Sequence, residues 1–185
     1  MAFLADVLSR VKPSATIVIT QKARDLKAAG KDVISLSVGE PDFDTPDNIK
    51  EAAIAAIRRG ETKYPPVSGI PQLREAIAAY LGSTRGVNCE AGQVVITAAS
   101  QEAINTAAQV LLDDGDEVWM EDPGYQGARS ALIGAGESIV PVPIDADGMR
   151  VEVGVQRAPN ARMAYVTPSY RYPRGVTMSL TRRLA

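Results

Sequence analysis

Along the first third of the chain the apolar positions recur at helical spacing. Residues 14–29, SATIVITQKARDLKAA, set Ile19, Ala23 and Leu26 on one side of a helix, and Gly30 follows, where a left-handed cap can end it. VISLSVG then reads as a short extended segment. In DTPDNIKEAAIAAIRRG, Thr45 is placed to cap, Pro46 to take the first helical position where its missing N–H costs nothing, and Gly60 to stop the helix. Another helix is predicted in GIPQLREAIAAYLG, where Leu73, Ile77, Tyr80 and Leu81 share a face. From residue 93 the rhythm changes. QVVIT, DEVWMED, ESIVPVPI and RMAYVTP are short β-branched or aromatic runs, separated by helical patterns and by Gly- or Asp-containing turns. Strands alternating with helices predict an α/β fold, a mostly parallel sheet with helices on both faces. The change divides the chain into residues 1–90, an N-terminal arm with small helices, and residues 91–185, a partial sheet domain.

Composition narrows the function classes. Lys plus Arg number 20 against 22 Asp plus Glu, and aromatics make up 5%, so neither a phosphate-tracking stripe nor base-stacking platforms are expected, and nucleic acid is excluded as a partner. No apolar run approaches a membrane span, and Asp6 and Arg10 sit where a secretory signal needs an apolar core, so a cytoplasmic protein without a membrane partner is expected. One cysteine, Cys89, precludes an internal disulfide and fits a reducing compartment. Histidine is absent, which closes the Ser/His/Asp and Cys/His nucleophile pairs and His-ligated zinc. Chemistry must come from carboxylates, lysine, tyrosine or a borrowed cofactor.

Four stretches are candidates for that chemistry. In VVITAASQEAINTAAQVLL a strand ends and a helix begins at Ser100. The unpaired N–H groups of its first turn suit a phosphate, and Ser100 adds a hydroxyl; equally, Ser100 can be a plain helix cap. In DPGYQGAR, Tyr125 lies in a Gly-flanked turn at the carboxyl end of a strand, where α/β proteins bind ligands; it can stack on a flat molecule or simply fill the rim. GEPDFDTP offers Glu40, Asp42 and Asp44, too few ligands for a hard cation, and turn chemistry accounts for them without metal. SRVK at residues 9–12 has the Ser-x-x-Lys spacing of a histidine-free acyl-transfer pair, but a four-residue match near a terminus carries little.

Several of these signals occur in one order that resembles a known family. SLSVGEPDFDTP and TKYPPVSGIPQLREAIAAYL resemble the N-terminal part of class I/II (fold type I) pyridoxal-phosphate aminotransferases, closely the bacterial aspartate aminotransferase type. ITAASQEAINTAAQVLLDDGDEVWMEDPGYQGAR and TPSYRYPRGVTMSL resemble the aminotransferase-like domain of MocR-type regulators. A hybrid joined near residues 90–98 is one expectation. The resemblance implies that Gly39 binds a substrate carboxylate through backbone and that Tyr64 reaches the cofactor phosphate of a neighbouring subunit. It implies further that Ser100 and Gln101 form the phosphate-cradling turn and that Tyr125 stacks on the pyridine ring. Tyr170 stands where the family has an asparagine, or the MocR type a histidine, bonded to the cofactor's ring oxygen.

The departures from the family pattern set the functional expectation. The family's covalently anchoring lysine, the aspartate facing the pyridine nitrogen and the arginines that grip substrate have no counterparts here, and all six lysines lie between residues 12 and 63. Noncovalent binding of pyridoxal phosphate or another phosphate, without normal transamination, is therefore expected. The final SLTRRLA resembles a helix that continues in longer relatives, so the chain reads as the front half of a family member. The other half would supply strands between QVVIT and MAYVT and between MAYVT and EVWME, which predicts a rearranged sheet or an intertwined homo-oligomer. Two further readings are a scaffold with weak cofactor-free hydrolase activity and a non-enzymatic oligomerising binding protein.

Overall fold

The computed structural model describes residues 3–10, 13–39, 41–169 and 175–185. It contains two compact units, one formed by Ile34–Ala98 and the other by the described residues before and after that segment. Helix α1 (Ala15–Ala28) opens the chain and, as its pattern predicts, is followed by Gly30 in the left-handed region at φ 75°.

The Ile34–Ala98 unit holds α2 (Asp47–Arg58) and α3 (Pro71–Arg85). Helix α2 begins one residue later than its sequence predicts. Pro46 itself occupies the cap with ψ 141°, still extended, so Thr45 lies outside the helix and no side chain caps it. Helix α3 starts on Pro71 and runs through Gly82 to end at Gly86, whose φ of 66° a side chain would resist. The predicted strand QVVIT is not a strand. Gln93 closes a 3₁₀ turn, Ala91–Gln93, through a reciprocal pair of bonds with Glu90. Beyond it Val94 accepts from Arg74 Nε at 2.8 Å, and Ile96 N–H donates to Ser68 at 3.0 Å. The residues have strand propensity, but their backbone groups are spent on a loop and a guanidinium rather than on a ladder.

The other unit is built on a four-stranded sheet. Helix α4 (Ser100–Leu111) leads to β1 (Glu117–Asp122), α5 (Gln126–Ala135), β2 (Ser138–Asp145), β3 (Gly148–Met149), α6 (Val151–Arg157), β4 (Met163–Tyr165) and α7 (Leu180–Leu184). The strand order is β3-β2-β1-β4. β1 pairs in parallel with β2, Glu117 opposite Ser138, and with β4, Val118 opposite Met163; only β3, returning by a tight turn to face Ile144, is antiparallel. The α/β class is as expected. The expectation that strands of another half would lie between EVWME and MAYVT is corrected: the two runs pair directly, Val118–Met120 against Met163–Tyr165, and leave no gap between them.

Alternation along β1 explains the layering. Val118 packs with Ala108 of α4 and Leu132 of α5, with Ile139, Met163 and Tyr165 around them. Trp119, one residue on, faces the opposite side, where Val142, Met149 and Met178 form a second cluster with Val153 of α6. A strand buried on both faces reads as continuous rather than alternating hydrophobicity, which is the pattern of EVWM. Trp119 is fixed further by its Nε1–H donating to Ala158 at 2.9 Å and by Gly154, where an added Cβ would lie 2.9 Å from the indole. From β1 the chain steps to β2 on one side, then returns past β1 to β4 on the other. The connection after β1 enters α5, whose Leu132 packs on the Val118 face, whereas Met178, downstream of β4, packs against Val142 and Met149 on the other, so the two connections part to opposite faces.

Candidate functional site

The carboxyl ends of β1 and β4 meet where those connections part, the position at which open parallel sheets admit ligands. The turn after β1 places Tyr125 at the cap of α5, 39% exposed. Two glycines make that placement possible. A Cβ on Gly124 would lie 2.4 Å from the Glu121 carbonyl oxygen, and one on Gly127 would lie 2.4 Å from Cζ of the Tyr125 ring, so the ring rests on bare backbone.

Ser100 and Gln101 form the first turn of α4. Ala99, extended at φ −164°, takes the cap, and no side chain caps this helix, so Ser100 is not the cap that one sequence reading allowed. The first intrahelical bond runs from Ala103 N to Ala99 O, so the N–H groups of Ser100 and Gln101 precede it. Both residues are exposed. Gln101 Nε2 donates to the Gly127 carbonyl at 3.1 Å, which ties the start of α4 to the first turn of α5. The structure thereby brings Ser100, Gln101 and Tyr125 together: helix N–H groups and a hydroxyl suited to an anion, beside an exposed aromatic face.

Three further residues belong to this place. Glu121, at 1% exposure, turns its Oε2 toward Thr167, whose hydroxyl donates at 2.6 Å and whose N–H donates at 3.2 Å. Tyr165, half-buried at the end of β4, has its phenol pushed above the usual 10.0, first by burial and then by the charges of Tyr125 and Glu121. Glu121 and Thr167 escaped the sequence reading, although an acid at the end of an apolar strand was a usable signal: a buried carboxylate requires donors.

Tyr64 and Gly39 belong to the Ile34–Ala98 unit and are exposed there, Tyr64 fully. Tyr170 lies outside the described residues, as do Glu40 of the acidic loop and Lys12 of the Ser-x-x-Lys match. Among the described residues no group of three His, Cys, Asp or Glu could hold a metal ion. No helix among them is long and apolar enough to cross a membrane.

A mostly parallel sheet with helices on both faces, and a helix start bonded to the turn beyond its central strand, accords with the fold type I aminotransferases that its structural neighbours are. Residues 31–161 match the family aminotransferase class I and II, and the chain belongs to it; the family depends on pyridoxal phosphate. Over 123 residues the chain is 58% identical to a probable aspartate/prephenate aminotransferase of Rhizobium leguminosarum bv. phaseoli, spanning 66% of this chain and 31% of that protein. Over 118 residues it is 42% identical to a probable rhizopine catabolism regulatory protein, MocR, of Rhizobium meliloti, spanning 64% of this chain and 24% of the relative. The crystal structure of an archaeal alanine:glyoxylate aminotransferase resembles it with a TM-score of 0.87 at 33% identity, covering 98% of this chain and 48% of that one. Both resemblances seen in the sequence are thus found, and the chain spans less than half the length of these relatives.

Proposed function

We propose that this chain binds pyridoxal phosphate noncovalently, with the phosphate at the first turn of α4 and the pyridine ring against Tyr125. The observation that carries this reading is the Gln101–Gly127 hydrogen bond, which sets an anion-binding helix end beside an aromatic face. The residues fit the phosphate and the ring. They do not supply covalent attachment, since no lysine follows residue 63. When bound, the cofactor supplies an aldehyde reactive toward amines and an electron-withdrawing ring. The chain's own side chains bind and orient: Ser100 and Gln101 hold the phosphate, and Tyr125 covers one ring face. By itself this segment is a binding module rather than a transaminase. Gly39 and Tyr64 serve substrate and cofactor only as part of a larger assembly, for which a homo-oligomer is the simplest form. Among the described residues the three-residue strand β4 forms an edge of the sheet, where a further strand can pair. A cytoplasmic setting accords with the single free cysteine.

The test is a titration of the purified protein with pyridoxal phosphate, followed by visible absorbance before and after borohydride reduction. A saturable spectral change that borohydride leaves unfixed, and that Ser100→Ala and Tyr125→Ala weaken, supports the reading. Absence of saturable binding overturns it.

A further inference from the structure

The parallel ladder between β1 and β4 ends at Met120 opposite Tyr165, so the turn that follows, Thr167–Ser169, has no strand pairing to fix it. It is held from two sides instead. On one side Met178 N–H donates to Pro168 at 2.8 Å, Arg183 Nη2 donates to the same carbonyl at 3.2 Å, and the Thr177 hydroxyl donates to Ser169 at 3.3 Å. On the other side stands Glu121, with one carboxylate oxygen receiving both the N–H and the hydroxyl of Thr167.

The same residue also shapes the opposite wall. Its main-chain carbonyl is what a Cβ on Gly124 would strike, so the path of the Asp122–Tyr125 turn is set against the backbone of Glu121. One residue thus has its backbone under the turn that carries Tyr125 and its side chain on the turn after β4. A carboxylate taken out of water is costly unless its oxygens receive donors, so its retention here asks for a use that a plain apolar residue would not serve.

We propose that Glu121 is a positioning residue that fixes the Thr167–Ser169 turn relative to Tyr125, and so sets the width of the cofactor cleft. This rests on the binding reading above. Two hydrogen bonds to one charged oxygen are the restraint; Thr167 is its partner. A carboxamide keeps the accepting oxygen, whereas a methyl group does not.

The experiment compares Glu121→Gln, Glu121→Ala, Thr167→Val, Thr167→Ser and the Glu121→Ala/Thr167→Val double variant, measuring the Kd for pyridoxal phosphate and urea unfolding. Glu121→Gln and Thr167→Ser should bind within about threefold of wild type, and Glu121→Ala and Thr167→Val should each bind about tenfold more weakly. The double variant should be little worse than either single one, in binding and in stability. Leu112→Ala, at the opposite end of α4 from Ser100, should unfold more easily yet bind as wild type, a result that separates positioning from general stability. Wild-type-like binding by Glu121→Ala, additive losses, or failure of Thr167→Ser to restore affinity overturns the proposal. Should the wild type itself bind no pyridoxal phosphate, the binding reading fails and takes the cleft-setting role with it. The restraint is then judged by unfolding alone: coupled losses support it, and additive ones overturn it.

Discussion

Replacing Gly127 with alanine separates the architecture of the cleft from the stability of the protein. Gly127 lies in the first turn of α5, and an added Cβ would sit 2.4 Å from Cζ, 2.5 Å from the hydroxyl oxygen and 2.7 Å from Cε1 of Tyr125. Carbon atoms in comfortable contact stand roughly 3.5–4.0 Å apart, so the ring must withdraw by about 1 Å or more. Tyr125 is 39% exposed and has solvent to move into, so the displacement strains little else. Alanine meanwhile gains up to about 1 kcal/mol over glycine in a helix, less at a first turn. Stability should therefore change by less than about 1 kcal/mol. Binding should not escape: loss of a well-placed aromatic stack is worth about 0.5–1.5 kcal/mol, or roughly a two- to twelvefold rise in Kd. Urea unfolding and a pyridoxal phosphate titration on the same preparation give both numbers, with Tyr125→Ala as the reference. If Gly127→Ala binds as wild type while Tyr125→Ala is weakened, the ring was never held against this backbone and the reasoning is refuted.

Other expectations follow from the core and its charges. Leu132, 1% exposed against Val118 and Ala108, should cost about 2–5 kcal/mol on truncation to alanine, read as a lower urea midpoint with an unchanged slope. Asp145 is held below the usual 3.8, first by the Asp147 N–H and, among further donors, by Arg182, whose Nη2 lies 3.0 Å away. A depressed carboxylate stabilises the fold fully above its unfolded value and loses that contribution as pH falls through the folded value. Thermal unfolding should thus be flat from pH 6 down to about 4 as far as this group is concerned, and weaken below. Arg182→Met should lower stability at pH 6 by about 1 kcal/mol, discounted for the exposure of Asp145, and flatten the acid limb; an unchanged limb would remove Arg182 from the account.

Local chemistry carried much of what the sequence disclosed. DPGYQGAR could be placed after a strand because EVWM is apolar without interruption and the glycines leave the turn little alternative, and that is where Tyr125 stands. The boundaries near Thr45 and Gly82 were less legible. A proline can serve as cap as readily as first residue, and a glycine within a packed helix is tolerated when a better terminator, Gly86, follows four residues later. QVVIT shows the larger limit: strand propensity belongs to the segment, but a strand exists only when another chain segment offers its ladder. The bonds that assemble the cleft are of the same kind. Gln101 to Gly127 spans 26 residues and Thr167 to Glu121 spans 46, and neither leaves a periodic trace.

The divergence of the connections after β1 and β4 has a consequence for how such a cleft changes over generations. Its walls are drawn from two stretches of sequence, near residues 123–127 and 167–169, that leave neighbouring strands for opposite faces of the sheet. As long as the Thr167–Glu121 pair is kept, a substitution on one side need not renegotiate the backbone of the other. Libraries that vary the two stretches independently while holding Thr167 fixed should therefore explore new ligands while the sheet is inherited intact, as though lining and frame were separate traits.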